Sequence, residues 1–168
     1  MIEIRLLLAG DDRTRFDSGD RFLDVYFQRY AGQNQFRHRI GATYVAIDSG
    51  SICGFVTIAP GEVHVENLPP GDKARVPRYP IPVLRIARLA VGRSHAGRRI
   101  GEALLGYALG LALTTSREVG CAGVLVDAKP KAVGFYEKYG FRRMDVVEGE
   151  AAGGPVTLFL SIHAIPEG

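Results

Sequence analysis

The stretch from Leu89 to Leu105, LAVGRSHAGRRIGEALL, decides the fold of this chain. It begins as an apolar, strand-like run that ends at Val91, and a basic turn with Gly92 and Gly97 follows. The turn leads directly into a helix rich in Ala and Leu. Backbone N–H groups in such a turn, together with the helix N-terminus, form a ready site for a pyrophosphate group. The pattern therefore predicts a strand–turn–helix unit that binds a phosphorylated ligand.

A second pattern, GFYEKYGF, spans Gly134 to Phe141. It predicts a short helix closed by Gly140, because glycine is common just past a helix end, and a new strand after it. A short apolar strand, Val124–Val126, precedes this helix and ends at Asp127. We therefore expect a second strand–helix unit in the C-terminal part of the chain.

The composition indicates one globular domain that spans residues 1–168. Of the 168 residues, 46% are hydrophobic and 23% are charged, which is ordinary for a soluble protein. No apolar run approaches the ~20 residues of a membrane helix, and the first residues lack the features of a signal peptide. Cys53 and Cys121 lie in apolar runs without a CxxC motif, so we expect buried thiols and no disulfide or metal site. These features predict a cytoplasmic protein.

The basic residues are mostly arginine. The formal net charge is +3, and only four of the 21 basic residues are lysine. Arginine suits bidentate phosphate contacts, which favours a phosphate-rich ligand or an RNA. An arginine excess also arises from a GC-rich genome, so composition alone does not establish RNA binding.

The N-terminal part predicts one strand, two helices and a hairpin. Asp17 or Ser18 is the expected N-cap of the first helix. Apolar residues from Phe22 to Tyr30 recur at helical spacing and predict one apolar helix face. The other predicted elements are a strand at Ile2–Leu8, a helix at Gln33–Arg37, and hairpin strands at Thr43–Asp48 and Ile52–Ala59.

The segment 60–82 contains six prolines, so it predicts a loop or an edge excursion and not a central strand. The elements predicted after it are strands at Val83–Val91 and Ala122–Ala128, helices at Ile100–Val119 and Lys131–Tyr139, and strands at Phe141–Val147 and Val156–Ile162 around the loop Gly149–Pro155. Gly120 closes the first of these helices and Pro130 opens the second. This order predicts an α/β (α+β) fold with a mixed central sheet of six to seven strands and helices on both faces.

The turn resembles the acyl-CoA motif of the GCN5-related N-acetyltransferase (GNAT) superfamily, which reads Gln/Arg-x-x-Gly-x-Gly/Ala. Gly97 and Gly101 are in place. Ala96 replaces the usual Gln or Arg, and Arg99 replaces the middle glycine. A residue with a Cβ tolerates positive φ poorly, so we expect the loop to sit differently at Arg99.

The GNAT resemblance implies a sheet splayed in a V, in which the backbone of Leu89–Val91 pairs with the pantetheine arm of acetyl-CoA as a false strand. It makes acetyl-CoA the cosubstrate, implies no metal, and assigns the backbone N–H of Val91 as the oxyanion donor. The residues that it assigns to acetyl-CoA binding are Leu89, Ala90, Val91, Ala96, Gly97, Arg98, Arg99, Ile100, Gly101, Glu102, Asp127 and Phe135.

The same resemblance makes Tyr136 the catalytic residue. A tyrosine at this place in the Phe-Tyr-x-x-x-Gly-Phe motif lies near the CoA sulfur, and its phenol supplies a proton to the departing thiolate. The alternative is an ordinary tyrosine of an amphipathic helix. The general base stays unassigned, because Glu62, Glu66 and Asp127 are each better explained as solvated or structural. An α-amino acceptor needs no strong base, since its pKa is about 7.7–8.0.

A narrower likeness points to the toxin-type GNAT subgroup. It is carried by Phe16–Gly19, Tyr30–Gln35, Thr43–Ala46, Arg78–Val83 with Arg88–Val91, and Pro155–Phe159, although Ser18 stands where the subgroup has cysteine. This likeness implies acetylation of the α-amino group of aminoacyl-tRNA, a ribbon-helix-helix antitoxin and a homodimer.

A tRNA acceptor stem would then meet a basic cluster through its phosphates. The cluster consists of Arg29, Arg37, His38 and Arg39. A solvated basic face explains the same four residues.

Two other functions stay open on the residues alone. One is a GNAT acetyltransferase that acts on a small-molecule amine or a protein N-terminus. The other is a non-catalytic acyl-CoA-binding module, for which Ala96 and Arg99 leave room and against which Tyr136 argues.

Overall fold

The computed structural model describes residues 1–73, 76–77, 80–145 and 154–167. These residues form a seven-stranded mixed sheet with the order β1-β2-β3-β4-β5-β7-β6, which confirms the predicted fold class. The strands are β1 Glu3–Leu6, β2 Ala42–Asp48, β3 Ser51–Val63, β4 Ile81–Val91, β5 Gly123–Ala128, β6 Arg142–Arg143 and β7 Val156–Ser161. The α-helices are α1 Arg21–Val25, α2 Ile100–Glu118 and α3 Val133–Lys138.

The described residues form two compact units. The first comprises Met1–Ala59 and Ile86–Ala108. Aromatic rings dominate its core: the rings of Phe27 and Phe55 stack with centroids 4.4 Å apart, and Phe16 meets both edge-on. This core supports the end of β4, because Ala90 belongs to the same cluster.

The second unit comprises Pro60–Arg85 and Leu109–Gly168. Its core brings Leu68, Val83, Leu125 and Phe159 together. Antiparallel pairing of β5 with β7 extends from Gly123 opposite Ser161 to Ala128 opposite Val156. The core and this pairing hold β5, which precedes α3, and β7, which follows it.

The N-cap of α1 is Asp20, so the prediction of Asp17 or Ser18 was wrong. The Asp20 carboxylate accepts hydrogen bonds from the backbone N–H groups of Phe22 and Leu23 at 3.0 and 3.3 Å. The Ser18 hydroxyl instead donates to Asp24 at 2.7 Å. Asp17 accepts from the N–H of Gly19 and pairs with Arg93. The two candidate caps are therefore engaged elsewhere.

The predicted apolar face of the first helix is only partly buried. Phe27 is fully buried, whereas Phe22 is 88% exposed and Tyr30 is 46% exposed. After Val25 the helix continues as a π-helical segment, Tyr26–Tyr30, and a second such segment spans Gln33–His38. The wider π-helical turn changes the direction of successive side chains, so a period of 3.6 residues misassigns this face.

Strand β3 reaches Val63, which corrects the prediction of a loop or edge excursion from residue 60. Its pairing with β2 ends at Ile58 opposite Ala42. Pro60 therefore lies beyond the last pair with β2, and its missing N–H breaks no hydrogen bond of that ladder. A short 3₁₀ turn, Val65–Asn67, follows, and β4 begins at Ile81.

The remaining elements lie close to their predicted positions. Gly120 has φ +123° after α2, as a helix-closing glycine does. Pro130 opens a 3₁₀ turn that leads into α3. The strand predicted at Phe141–Val147 begins as β6, and its residues 146–147 lie outside the described residues. The loop residues 149–153, and Arg78 and Tyr79 of the earlier segment, lie outside them as well.

Both cysteines are buried and free, as predicted. Among the described residues, no helix combines the length and the apolar character needed to cross a membrane. The same residues contain no cluster of three or more His, Cys, Asp or Glu side chains suited to a metal ion.

Candidate active site

The loop between β4 and α2 has a defined backbone conformation. It is attached to the first unit at Gly92, whose N–H donates to the carbonyl of Cys53 at 2.8 Å. A 3₁₀ turn follows at Arg93–His95, and Gly97 has φ +80°. The carbonyl of Arg99 accepts from the N–H of Ala103 at 3.1 Å, so Arg99 is the residue from which α2 begins.

Arg99 has φ +60°, so this non-glycine residue occupies the left-handed region. A residue with a Cβ pays roughly 1–2 kcal/mol for this conformation. The surrounding contacts must therefore hold the loop in place.

The loop presents several backbone donors together. Within the described part of the chain, the N–H groups of Gly97 and Arg99 donate to no other group. The first N–H groups of α2, from Ile100 to Glu102, have no acceptor within the helix. Because helix N-termini and adjacent free N–H groups attract anions, this arrangement fits a diphosphate.

The loop arginines differ in their partners. The Arg98 guanidinium donates to the carboxylate of Asp48 at 3.1 Å. The Arg99 side chain is exposed and has no hydrogen-bond or ion-pair partner among the described residues. Arg99 is therefore the loop cation that remains available to a ligand phosphate, whereas Ala96 contributes no polar side chain.

Side-chain burial alternates at the end of β4, as is typical of a strand. Ala90 is buried in the aromatic core, and its neighbours Leu89 and Val91 are half-buried. Sequence reasoning missed the residue that lets α2 approach this strand. A Cβ on Gly54 would lie 3.0 Å from Ile100 and Leu104 side-chain atoms and 3.1 Å from the carbonyl oxygen of Ala90. Only a glycine in β3 accommodates this packing.

Asp127, Phe135 and Tyr136 belong to the second unit. The Asp127 carboxylate accepts from the Arg85 guanidinium and from the Thr157 hydroxyl, each at 2.6 Å. It therefore connects three strands through its side chain. Glu62 and Glu66 are exposed.

Tyr136 lies on α3 in an aromatic surrounding. Its ring meets Phe135 edge-on at 5.0 Å and Phe141 edge-on at 5.4 Å. Burial raises the pKa of Tyr136 to about 12. The phenol is therefore neutral throughout the physiological pH range, and in this form it can donate a proton. Phe135 packs against Tyr136 and Tyr139 in the same way.

Comparison with known proteins agrees with these features. Residues 39–143 match the model of the acetyltransferase (GNAT) domain. A tRNA-acetylating toxin of Mycobacterium tuberculosis (strain ATCC 25618 / H37Rv) is 33% identical over 140 residues, which are 82% of each chain.

Two solved structures resemble this chain over 98% of its length. "AtaT complexed with acetyl-methionyl-tRNAfMet" is 26% identical, is covered to 97% and has a TM-score of 0.86. "AtaTR bound with AcCoA" is 27% identical, is covered to 95% and has a TM-score of 0.81.

The chain thus belongs to the GNAT acetyltransferase family and is an acetyl-CoA-dependent N-acetyltransferase. Within that family it resembles the toxin-type subgroup that acetylates aminoacyl-tRNA.

Proposed function

We propose that this protein acetylates the α-amino group of aminoacyl-tRNA and acts as the toxin of a toxin–antitoxin pair. The identity of 33%, over 82% of the chain, to a tRNA-acetylating toxin carries this proposal. The basic cluster supports it, with Arg29 at the end of the first π-helical segment and its other three members at the end of the second. The side chains of Arg29, Arg37, His38 and Arg39 are exposed and have no partner among the described residues, so they are available to RNA phosphates.

The donor acetyl-CoA binds, in this proposal, along the first unit. The backbone of Leu89–Val91 pairs with the pantetheine arm. The N–H groups of Gly97 and of Arg99–Glu102 hold the diphosphate, and the Arg99 guanidinium adds a charged contact. The free donors of the β4–α2 loop support this assignment.

The proposed reaction begins when the neutral amine attacks the thioester carbonyl carbon in a ternary complex. A large fraction of α-amino groups is neutral near pH 7.7–8.0, so no strong base is required. The backbone N–H of Val91 stabilises the oxygen that becomes negative. Collapse of the tetrahedral intermediate forms the amide and breaks the carbon–sulfur bond.

Tyr136 then donates its phenolic proton to the departing thiolate. A thiol has a pKa of about 8.5, well below that of the buried phenol, so this transfer alone is uphill. It is completed when the phenolate takes the proton that the attacking nitrogen loses. Overall, one proton moves from nitrogen to sulfur and Tyr136 is regenerated.

The test is incubation of the purified protein with acetyl-CoA and a pool of charged tRNA, with N-acetylated aminoacyl-tRNA as the readout. We expect product with the wild type and a fall in kcat of at least about 10²-fold in Tyr136→Phe. Tyr107→Phe is the matched control, because the Tyr107 ring packs on Tyr44 and neither residue has an assigned role in the reaction. If acetyl-CoA binds but no charged tRNA is modified, the acceptor is a small amine or a protein N-terminus instead.

The proposal extends to partners and location. We propose a homodimer, a ribbon-helix-helix antitoxin and action in the cytoplasm, where charged tRNA occurs. The two free cysteines fit a reducing compartment. Light scattering of the purified protein gives the oligomeric state, and co-purification with the product of a neighbouring reading frame tests the antitoxin.

A further inference from the structure

Asp48, the last residue of β2, contacts the β4–α2 loop at two side chains. Its Oδ2 atom lies 3.0 Å from His95 Nε2 and accepts from Arg98 Nη1 at 3.1 Å. The other ring nitrogen of His95 lies 3.0 Å from the Ser94 hydroxyl. The side chains of Asp48 and His95 are only 16% and 17% exposed, so the contact between them is largely shielded from water, whereas the Arg98 side chain is 53% exposed.

These contacts favour the charged form of the Asp48 carboxyl. The hydrogen bond with His95, and to a smaller extent that with Arg98, lowers the pKa of the Asp48 carboxyl against the opposing effect of burial. The second anchor of the loop is weaker. The pair of Arg93 with Asp17 at the start of the loop has side chains 68% and 53% exposed, and exposed ion pairs contribute little.

We propose that Asp48 is a positioning residue for acetyl-CoA, which holds the loop from His95 to Arg99 in its diphosphate-binding conformation. A strained residue such as Arg99 persists only where its surroundings fix it, and Asp48 fixes the two positions His95 and Arg98 that precede it. Asp48 binds the Arg98 guanidinium and not that of the neighbouring Arg99, so the Arg99 guanidinium stays available to a ligand phosphate. This inference rests on the donor site proposed above.

The test measures donor binding without an acceptor, so an error in the tRNA assignment does not affect it. Isothermal titration compares CoA with pantetheine, which lacks the nucleotide diphosphate. For Asp48→Ala we expect the Kd of CoA to rise about tenfold, the size expected for lost hydrogen bonds to a charged group. The Kd of pantetheine should stay unchanged. With any acceptor that is turned over, KM for acetyl-CoA should rise while kcat stays within about twofold.

Asp48→Asn keeps the shape and loses the charge, and it serves if Asp48→Ala fails to fold. Asp17→Ala is the matched control, since it breaks the exposed pair at the start of the loop and should change the Kd of CoA less than about twofold. Equal weakening of CoA and pantetheine would show a general structural role and overturn the proposal. An unchanged Kd for CoA would overturn it as well.

Discussion

At the scale of single residues, the raised pKa of Tyr136 makes the stability of the folded protein depend on pH in the alkaline range. Burial favours the protonated phenol in the folded state, with a pKa of about 12 against an ordinary value of 10.0. The stabilisation is complete below pH 10 and is lost as the pH rises towards 12. In urea unfolding, we expect the free energy of unfolding of the wild type to fall by up to about 3 kcal/mol, relative to that of Tyr136→Phe, over this pH range. Parallel curves for the two proteins would contradict the assigned pKa.

Arg99 allows strain and charge to be separated. Its φ of +60° suits glycine, so Arg99→Gly should be about 1 kcal/mol more stable than Arg99→Ala in chemical unfolding. Both variants lose the guanidinium, and both should bind CoA more weakly than the wild type. If only the alanine variant bound CoA weakly, the backbone and not the charge would determine affinity.

The residue scale also shows the limit of sequence reasoning at this site. The order of Gly97, Arg98, Arg99 and the helix that follows is local, so a strand–turn–helix unit with free N–H groups could be predicted. The contact of Asp48 with His95 spans 47 positions of sequence. Nothing in the residues around Asp48 distinguishes it from a polar strand end. Such contacts depend on tertiary packing, which a local pattern does not encode.

At the scale of elements, the position of α2 depends on Gly54. Gly54→Ala should destabilise the protein by about 1–3 kcal/mol, because the new Cβ would press against Ile100 and Leu104. The displaced N-terminus of α2 should also weaken CoA binding. Gly110→Ala on the same helix is the control: no atom lies within 4 Å of its Cβ position, and alanine favours a helix by about 1 kcal/mol. In chemical unfolding, the free energy of unfolding should therefore fall in Gly54→Ala and rise in Gly110→Ala. Changes of the same sign in both variants would contradict this packing.

Element boundaries show why some predictions held and others did not. Helix α2 begins at Ile100 as predicted, since its apolar spacing and its closing glycine agree. The first helical region deviates because π-helical turns follow α1, and the 3.6-residue period then places Phe22 on the wrong face. Strand β3 passes through Pro60 because no β2 residue pairs there. Local rules thus failed in two places: where π-helical turns follow α1, and where the pairing of β3 with β2 ends before Pro60.

At the scale of the whole molecule, the formal net charge of +3 is modest, so binding of RNA depends on where the free cations lie. Many arginines are neutralised within the fold: Arg5, Arg85, Arg93 and Arg98 all form ion pairs with aspartates. The arginines of the basic cluster have no such partner among the described residues. We therefore expect the salt dependence of tRNA binding to arise chiefly from this cluster.

This expectation can be measured with uncharged tRNA by fluorescence anisotropy over a range of salt concentrations. The logarithm of affinity should fall linearly with the logarithm of salt, and Arg29→Gln or Arg37→Gln should each reduce the slope by about one. Arg117→Gln is the matched control, because Arg117 is paired with Glu167 at 3.1 Å and should leave the slope unchanged. The same cluster also fits a basic face that is only solvated. Equal slopes for the wild type and all three variants would show that the cluster is such a face. The RNA would then have to bind through other residues.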